Sequence, residues 1–192
     1  MVWRERIIIN RKGMTLIEVL IVIVIIGIII GPVFGTIHSS SQILAKTEQS
    51  ANAKMIANNI FQYIENKVKY ANVILIGDIR IPKLESTLGD ATTNKDALTL
   101  IVEGEELKYY QSAVGSAEVI FNKNYMGRMT LETKYRKVDV NTISVEVVMK
   151  KEGEKIHVLG PNKIKLENIN TAIRTGDRID GTEGNIINYI MP

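Results

Sequence analysis

Apolar residues follow three rhythms along this chain. From Met14 to Phe34 they are almost continuous, and Thr15 and Glu18 are the only polar side chains in those 21 residues. Between Ala53 and Val68 they thin to every third or fourth position: Ala53, Ile56, Ala57, Ile60, Ile64 and Val68. Gln49, Asn52, Asn59, Gln62, Glu65 and Asn66 occupy the rest. From Val73 onward the period drops to two. The first rhythm predicts a helix apolar on every side, about 31 Å long at about 1.5 Å per residue and enough to cross a hydrocarbon layer of about 30 Å. The second predicts a helix with a single apolar stripe, which needs a surface to pack on. The third predicts strands with one buried face.

The strands read as follows. Leu98–Val102 and Leu107–Ser112 make a hairpin about Gly104. Met129, Leu131, Thr133 and Tyr135 alternate with Thr130, Glu132, Lys134 and Arg136. Ile143, Val145, Val147 and Met149 continue, and Glu152-Gly153 turns the chain into Lys155–Leu159. A second turn at Pro161-Asn162 precedes Ile164 and Leu166. The segment Arg174–Pro192 reads as a surface loop closing with a short strand at Ile186–Ile190. Short strands joined by short turns imply an antiparallel sheet, with the Ala53–Val68 stripe as its cover. The fold class is therefore α+β: a long N-terminal helix, transmembrane in its first half, packed on a C-terminal antiparallel β-sheet. The divisions expected are a leader at 1–13, a transmembrane half-helix at 14–36, an amphipathic half-helix at 37–71 and a β-rich globular domain at 72–192.

Charge changes this picture in one respect. The formal net charge of +3 belongs to the leader, because residues 1–13 hold four of 24 basic and one of 21 acidic side chains, leaving 20 of each. A basic pI is thus no argument for a nucleic-acid partner. Arg4, Arg6, Arg11 and Lys12 precede the apolar run, and no Lys or Arg follows it before Lys46. That asymmetry predicts a cytoplasmic N-terminus, a single pass and an exported domain. The chain has no cysteine, so the domain must fold on its apolar core alone.

Gly27, Gly31 and Gly35 recur at intervals of four and so share a helix face. The spacing suits close helix packing, although glycine is common in membrane spans generally. Pro32 lacks an N–H and crowds the carbonyl of Ile28, so a kink or melted turn is expected over residues 28–35.

One local pattern departs from an ordinary secretory signal. Lys12-Gly13 stands before the apolar run rather than a small-residue cleavage site after it. Arg11-Lys12-Gly13-Met14-Thr15-Leu16-Ile17-Glu18 resembles the processing site of type IV prepilins and pseudopilins. The resemblance covers residues 11–34. It implies that a prepilin peptidase cuts after Gly13 and N-methylates Met14. It also implies that Glu18 of one subunit neutralises the Met14 amine of a neighbour as helices stack, so that the acid acts as an assembly register. Thr15, Leu16, Ile17 and Gly27 match the family's residue types. Met14 replaces the usual Phe, and Pro32 comes earlier than in major pilins.

The partners implied are other pilin subunits through the N-terminal helix, the prepilin peptidase and an inner-membrane assembly platform. The location implied is the cytoplasmic membrane, then a cell-surface pilus or pseudopilus. The exported part has no repeat, disulfide loop or low-complexity surface, which favours a minor pilin. A competence or type II secretion pseudopilin is the alternative, and a signal-anchored surface enzyme or binding domain is the rival of another class.

The residues offer little for catalysis. His38 and His157 are far apart in sequence, and Gly160-Pro161-Asn162-Lys163 lacks the frame of a phosphate loop. No enzyme activity and no cofactor is expected. Asp177, Asp180 and Glu183 are weak calcium candidates whose spacing does not fit a helix-loop-helix calcium site. Lys134, Arg136, Lys137, Lys150, Lys151, Lys155, Lys163 and Lys165 raise DNA contact as a weaker reading. Interleaved Glu132, Glu146, Glu152, Glu154 and Glu167 favour a mixed-charge sheet surface.

Overall fold

The computed structural model describes residues 14–81, 83–88, 91–111, 115–169 and 178–191, without the side chains of 83–88 and 91–95. The chain divides into two compact units, Met1–Thr47 and Glu48–Pro192. Helix α1, Leu16–Val68, runs through both. In the first unit its side chains are exposed all round, as expected of a helix with no polar face to turn outward. In the second unit its buried residues are Ala53, Ile56, Ala57, Ile60, Ile64 and Val68, the six positions of the stripe.

Twelve strands follow among the described residues. Six form one sheet. β1 (Val73–Gly77) lies between β10 (Arg178–Asp180) and β12 (Ile186–Ile190). Beyond β12 come β4 (Leu98–Glu103), β5 (Glu106–Tyr110) and β6 (Glu118–Phe121). Four more make a second sheet in the order β11 (Glu183–Gly184), β7 (Thr130–Asp139), β8 (Thr142–Lys151) and β9 (Glu154–Lys165). β2 (Lys83–Leu88) and β3 (Ala91–Asp96) pair only with each other. All pairings are antiparallel except that of β1 with β10. One apolar core joins the helix stripe to both larger sheets, through Ile74, Leu100, Leu107, Tyr135, Val147 and Ile187 among others. The alternation read from sequence carries over to burial: Met129, Leu131, Thr133, Tyr135, Ile143, Val145, Val147 and Met149 are all buried.

Two expectations need correction. Pro161-Asn162 is not a turn. β9 continues through both residues, because it is an edge strand and a proline there forfeits no ladder bond on its open side. The pairing irregularity between Val145 and Val147 absorbs the misfit. Nor is Ile186–Ile190 a peripheral closing strand. It sits inside the six-stranded sheet between β1 and β4, with all five residues buried. The turn at Glu152-Gly153 is as expected: both residues have positive φ, 53° and 86°, the geometry of a tight two-residue hairpin loop.

Candidate functional site

Thr15 is the last residue before the helix, which begins at Leu16. Thr15 is thus an N-cap, and Glu18, three residues on, can reach back to it. It does. The Thr15 backbone N–H donates to Glu18 Oε2 at 2.8 Å, and the Thr15 hydroxyl donates to the same oxygen at 3.0 Å. The Glu18 N–H approaches Thr15 Oγ1 at 3.4 Å. This reciprocal cap satisfies N–H groups that the first helical turn leaves without intrahelical partners. Thr15 thus gives the Glu18 carboxylate a hydrogen-bond partner within its own helix end. The pattern Thr-x-x-Glu ahead of an apolar run is itself a helix-start signature, and it was the signal available for this role of Thr15.

Beyond the cap the helix has no cover of its own. Val19 through Phe34 are exposed, Ile25 to about half of its surface. An unbroken apolar cylinder of this length is stable in lipid or against other helices, not in water. The helix continues without interruption through Gly31, Pro32 and Gly35, so the backbone over residues 28–35 stays helical instead of melting. In hydrocarbon an opened turn would expose polar backbone groups with no water to meet them. Side-chain hydroxyls bond back to the helix just beyond. Thr36 donates to the Val33 carbonyl at 2.8 Å, and Ser39 to that of Gly35 at 3.0 Å. No Cβ added at Gly27, Gly31 or Gly35 meets another atom within 4 Å, so these three positions form a smooth, unoccupied face.

Residues 9–34 match the family model described as the prokaryotic N-terminal methylation motif. No curated protein and no solved structure matches the chain. The N-terminus is therefore similar to that of type IV prepilins and pseudopilins. The helix that carries the motif is long and apolar enough to cross a membrane. Within the methylation motif, Met14, Thr15 and Glu18 stand at one helix end, and Gly13 lies outside the described residues.

The other candidates are dispersed. Asp177 lies outside the described residues. Asp180 accepts from Arg178 Nε at 2.6 Å, and Glu183 accepts from Arg136 at 3.1 Å. Among the described residues no cluster of three metal-ligating side chains occurs. The basic positions of the second sheet are interleaved with acids as their spacing implied. Lys150 pairs with Glu132, and Lys134 stands opposite Glu146. His38 meets Gln42 at 3.0 Å on the helix, and His157 stands opposite Met149 on β9. A cleft of about 450 Å³ opens between β4 and β7, lined by Ile101, Val102, Leu131 and Ile186 with Asp78, Glu132 and Lys134 among its polar residues. Sequence reading missed Asn188. Fully buried on β12, its Oδ1 accepts from Ile81 N–H at 3.1 Å and from the Thr99 hydroxyl at 2.9 Å. Its Nδ2 donates to the Ile79 carbonyl at 3.1 Å.

Proposed function

We propose that this prepilin is a minor subunit of a type IV pilus or a related filament. It enters the cytoplasmic membrane with its N-terminus inside and its β-rich domain outside, as the leader's four cations favour. Peptidase cleavage after Gly13 removes residues 1–13 and leaves Met14 as an N-methylated terminus. The span 14–36 becomes the filament-core half of the helix, with residues 37–71 continuing from it and 72–192 forming the exported domain. Other pilin subunits and an inner-membrane assembly platform are the partners, and a cell-surface filament is the destination.

The observation that carries this reading is the position of Glu18. The cap holds its carboxylate at the first turn of the helix, one turn from the Met14 amine that cleavage after Gly13 would create. A carboxylate in hydrocarbon costs about 2.5–3.5 kcal/mol on insertion scales, so it persists where something answers its charge. In an assembled filament that something is the Met14 amine of a neighbouring subunit. A subunit docked out of register would bury both charges apart, which is strongly disfavoured. The face of Gly27, Gly31 and Gly35 offers close approach for the same helices.

The test is mass spectrometry of the N-terminal peptide from membranes of cells expressing the chain with its cognate peptidase. A peptide beginning at Met14 and carrying one added methyl group is expected, and Gly13→Ala should leave the precursor at full length. Full-length chain in wild-type membranes, or normal processing of Gly13→Ala, would sink the proposal and favour a signal anchor.

A further inference from the structure

Sheet pairing ties the earliest strand of the exported domain to its latest. β1 has only two sheet neighbours, β10 and β12, and both lie more than a hundred residues further along the chain. Val73 pairs with Arg178 on one side and Ile190 on the other. The Asn72 N–H donates to the Ile190 carbonyl at 2.9 Å, and the Arg178 N–H donates to the Asn72 carbonyl at 3.2 Å. β12 also joins β1 to β4, so without it those two strands do not touch through any ladder.

The same ribbon, residues 178–190, reaches three further places. Lys137 of β7 donates its backbone N–H to the Thr182 carbonyl at 2.9 Å and its Nζ to the Ile179 carbonyl at 2.6 Å. β11 pairs with Tyr135 and Arg136 of β7. Asn188 fastens the chain at Ile79 and Ile81, the root of the β2–β3 hairpin. The ribbon thus leaves the six-stranded sheet after β10, pairs with the four-stranded sheet at β11 and returns at β12, and the crossover is tight. A Cβ at Gly184 would stand 2.3 Å from the Gly77 carbonyl oxygen and 2.5 Å from the Gly77 Cα.

We infer that the exported domain is held open until residues 178–190 are delivered, and that docking of this ribbon, with β12 inserted between β1 and β4, is the closing event of its folding. Everything that pairs locally can form earlier: β4 with β5, β7 with β8, and β8 with β9 are hairpins of neighbouring strands. The apolar face of β1 and the α1 stripe cannot be sealed, because Ile74, Ile76, Ile187 and Tyr189 belong to one core. Pairing over so long a loop is also intrinsically late, since the loop entropy is lost before the contacts form. Taken with the export reading above, on which this consequence alone rests, the topology keeps the domain unfolded while it crosses the membrane. It closes only once nearly the whole domain is outside.

The order of folding is measurable without filament, peptidase or export, so its failure is separable from failure of the pilin reading. The full chain is synthesised in a cell-free system with lipid nanodiscs, followed by linkers of increasing length and a translational stall sequence. Each stalled product is treated with protease. Resistance of the Glu48–Pro192 unit should be near background while residues 178–190 remain in the ribosomal tunnel. It should rise at least tenfold in one step once they emerge. A resistant fragment that contains Val73–Gly77 at shorter linkers, or a gradual rise beginning earlier, would overturn the inference. Gly184→Val should abolish the step at every linker length while the hairpins β7–β8 and β8–β9 still form, as read by pulse-labelled hydrogen exchange. A wild-type step in that variant would also overturn it.

Discussion

Ile25 and Ile60 lie on one helix and meet opposite solvents. Ile25 is half-exposed with no protein around it, whereas Ile60 is fully buried against two sheets. The sequence around each announces the difference. Around Ile25 every direction is apolar, so the partner must be lipid or another helix. Around Ile60 only one direction is apolar, and the chain itself supplies the cover. The first unit is built to remain unsatisfied until something outside the chain meets it; the second is satisfied internally. Charge follows the same division. In the first unit Glu18 and its cap are the polar feature of the span, while the second carries exposed pairs such as Lys123–Glu105 at 2.7 Å and Arg136–Glu183 at 3.1 Å, each contributing little.

The comparison breaks most sharply at Glu18. Glu18→Gln should leave the urea stability of the second unit unchanged and insertion intact. Incorporation into filaments should fall by a factor of hundreds or more, as expected from a loss of about 3–5 kcal/mol when one partner of a buried ion pair is removed. The measure is the ratio of variant to wild-type subunit in sheared filaments at equal membrane levels. A ratio near one would mean that the acid is only a helix cap.

Next in size is the isoleucine pair itself. Ile60→Ala should lower the unfolding free energy of the second unit by about 2–4 kcal/mol, because a cavity is left in a core that relaxes only partly. Ile25→Ala should leave that unfolding transition where it is. Urea titrations of both variants in the same detergent, followed by tyrosine fluorescence, make the test. Equal destabilisation would show that the two units do not fold independently.

Thr15→Val is a smaller probe. It removes the hydroxyl from the cap but keeps the backbone N–H bond to Glu18, so the first helical turn should lose about 1 kcal/mol. Amide exchange at Glu18 and Val19 in micelles should quicken about fivefold, with no change beyond the second turn.

The smallest expected effect lies at high pH in the second unit. Burial pushes the Tyr63 phenol up to about 12, with Glu118 and Tyr109 adding to the shift. Below pH 10 the phenol is neutral in both folded and unfolded chains. Between pH 10 and about 12 the unfolded chain ionises first, so folding stability falls as pH rises through that window. Tyr63→Phe should shallow the fall without removing it. Tyr135 and Tyr189 are buried more completely, and burial raises their phenols further. Stability curves at pH 9, 10, 11 and 12 would show the difference, and coincident curves would place Tyr63 outside the effect.

The span, the stripe and the motif were legible in the amino-acid order because each rests on neighbours within a turn or two of helix. An apolar run of 21 residues, a three-and-four repeat, and Gly13, Met14 and Glu18 at fixed spacing need no partner to be recognised. The alternation along β7 and β8 was legible for the same reason, since the period of two belongs to each strand alone. Tertiary structure decided where strands go. Ile186–Ile190 carries a short apolar run that suits an edge or a centre equally well, and its place between β1 and β4 depends on Val73–Gly77, more than a hundred residues earlier. Pro161 likewise looks like a turn until the edge position of β9 makes it harmless. Gly184 reads as loop punctuation until Gly77 is found against it, and Asn188 as a surface amide until burial gives it three partners. Periodicity records which face of an element is buried, a local property. It is silent on which distant element does the burying, because that choice is made by the shared core and by the loops that must close around it.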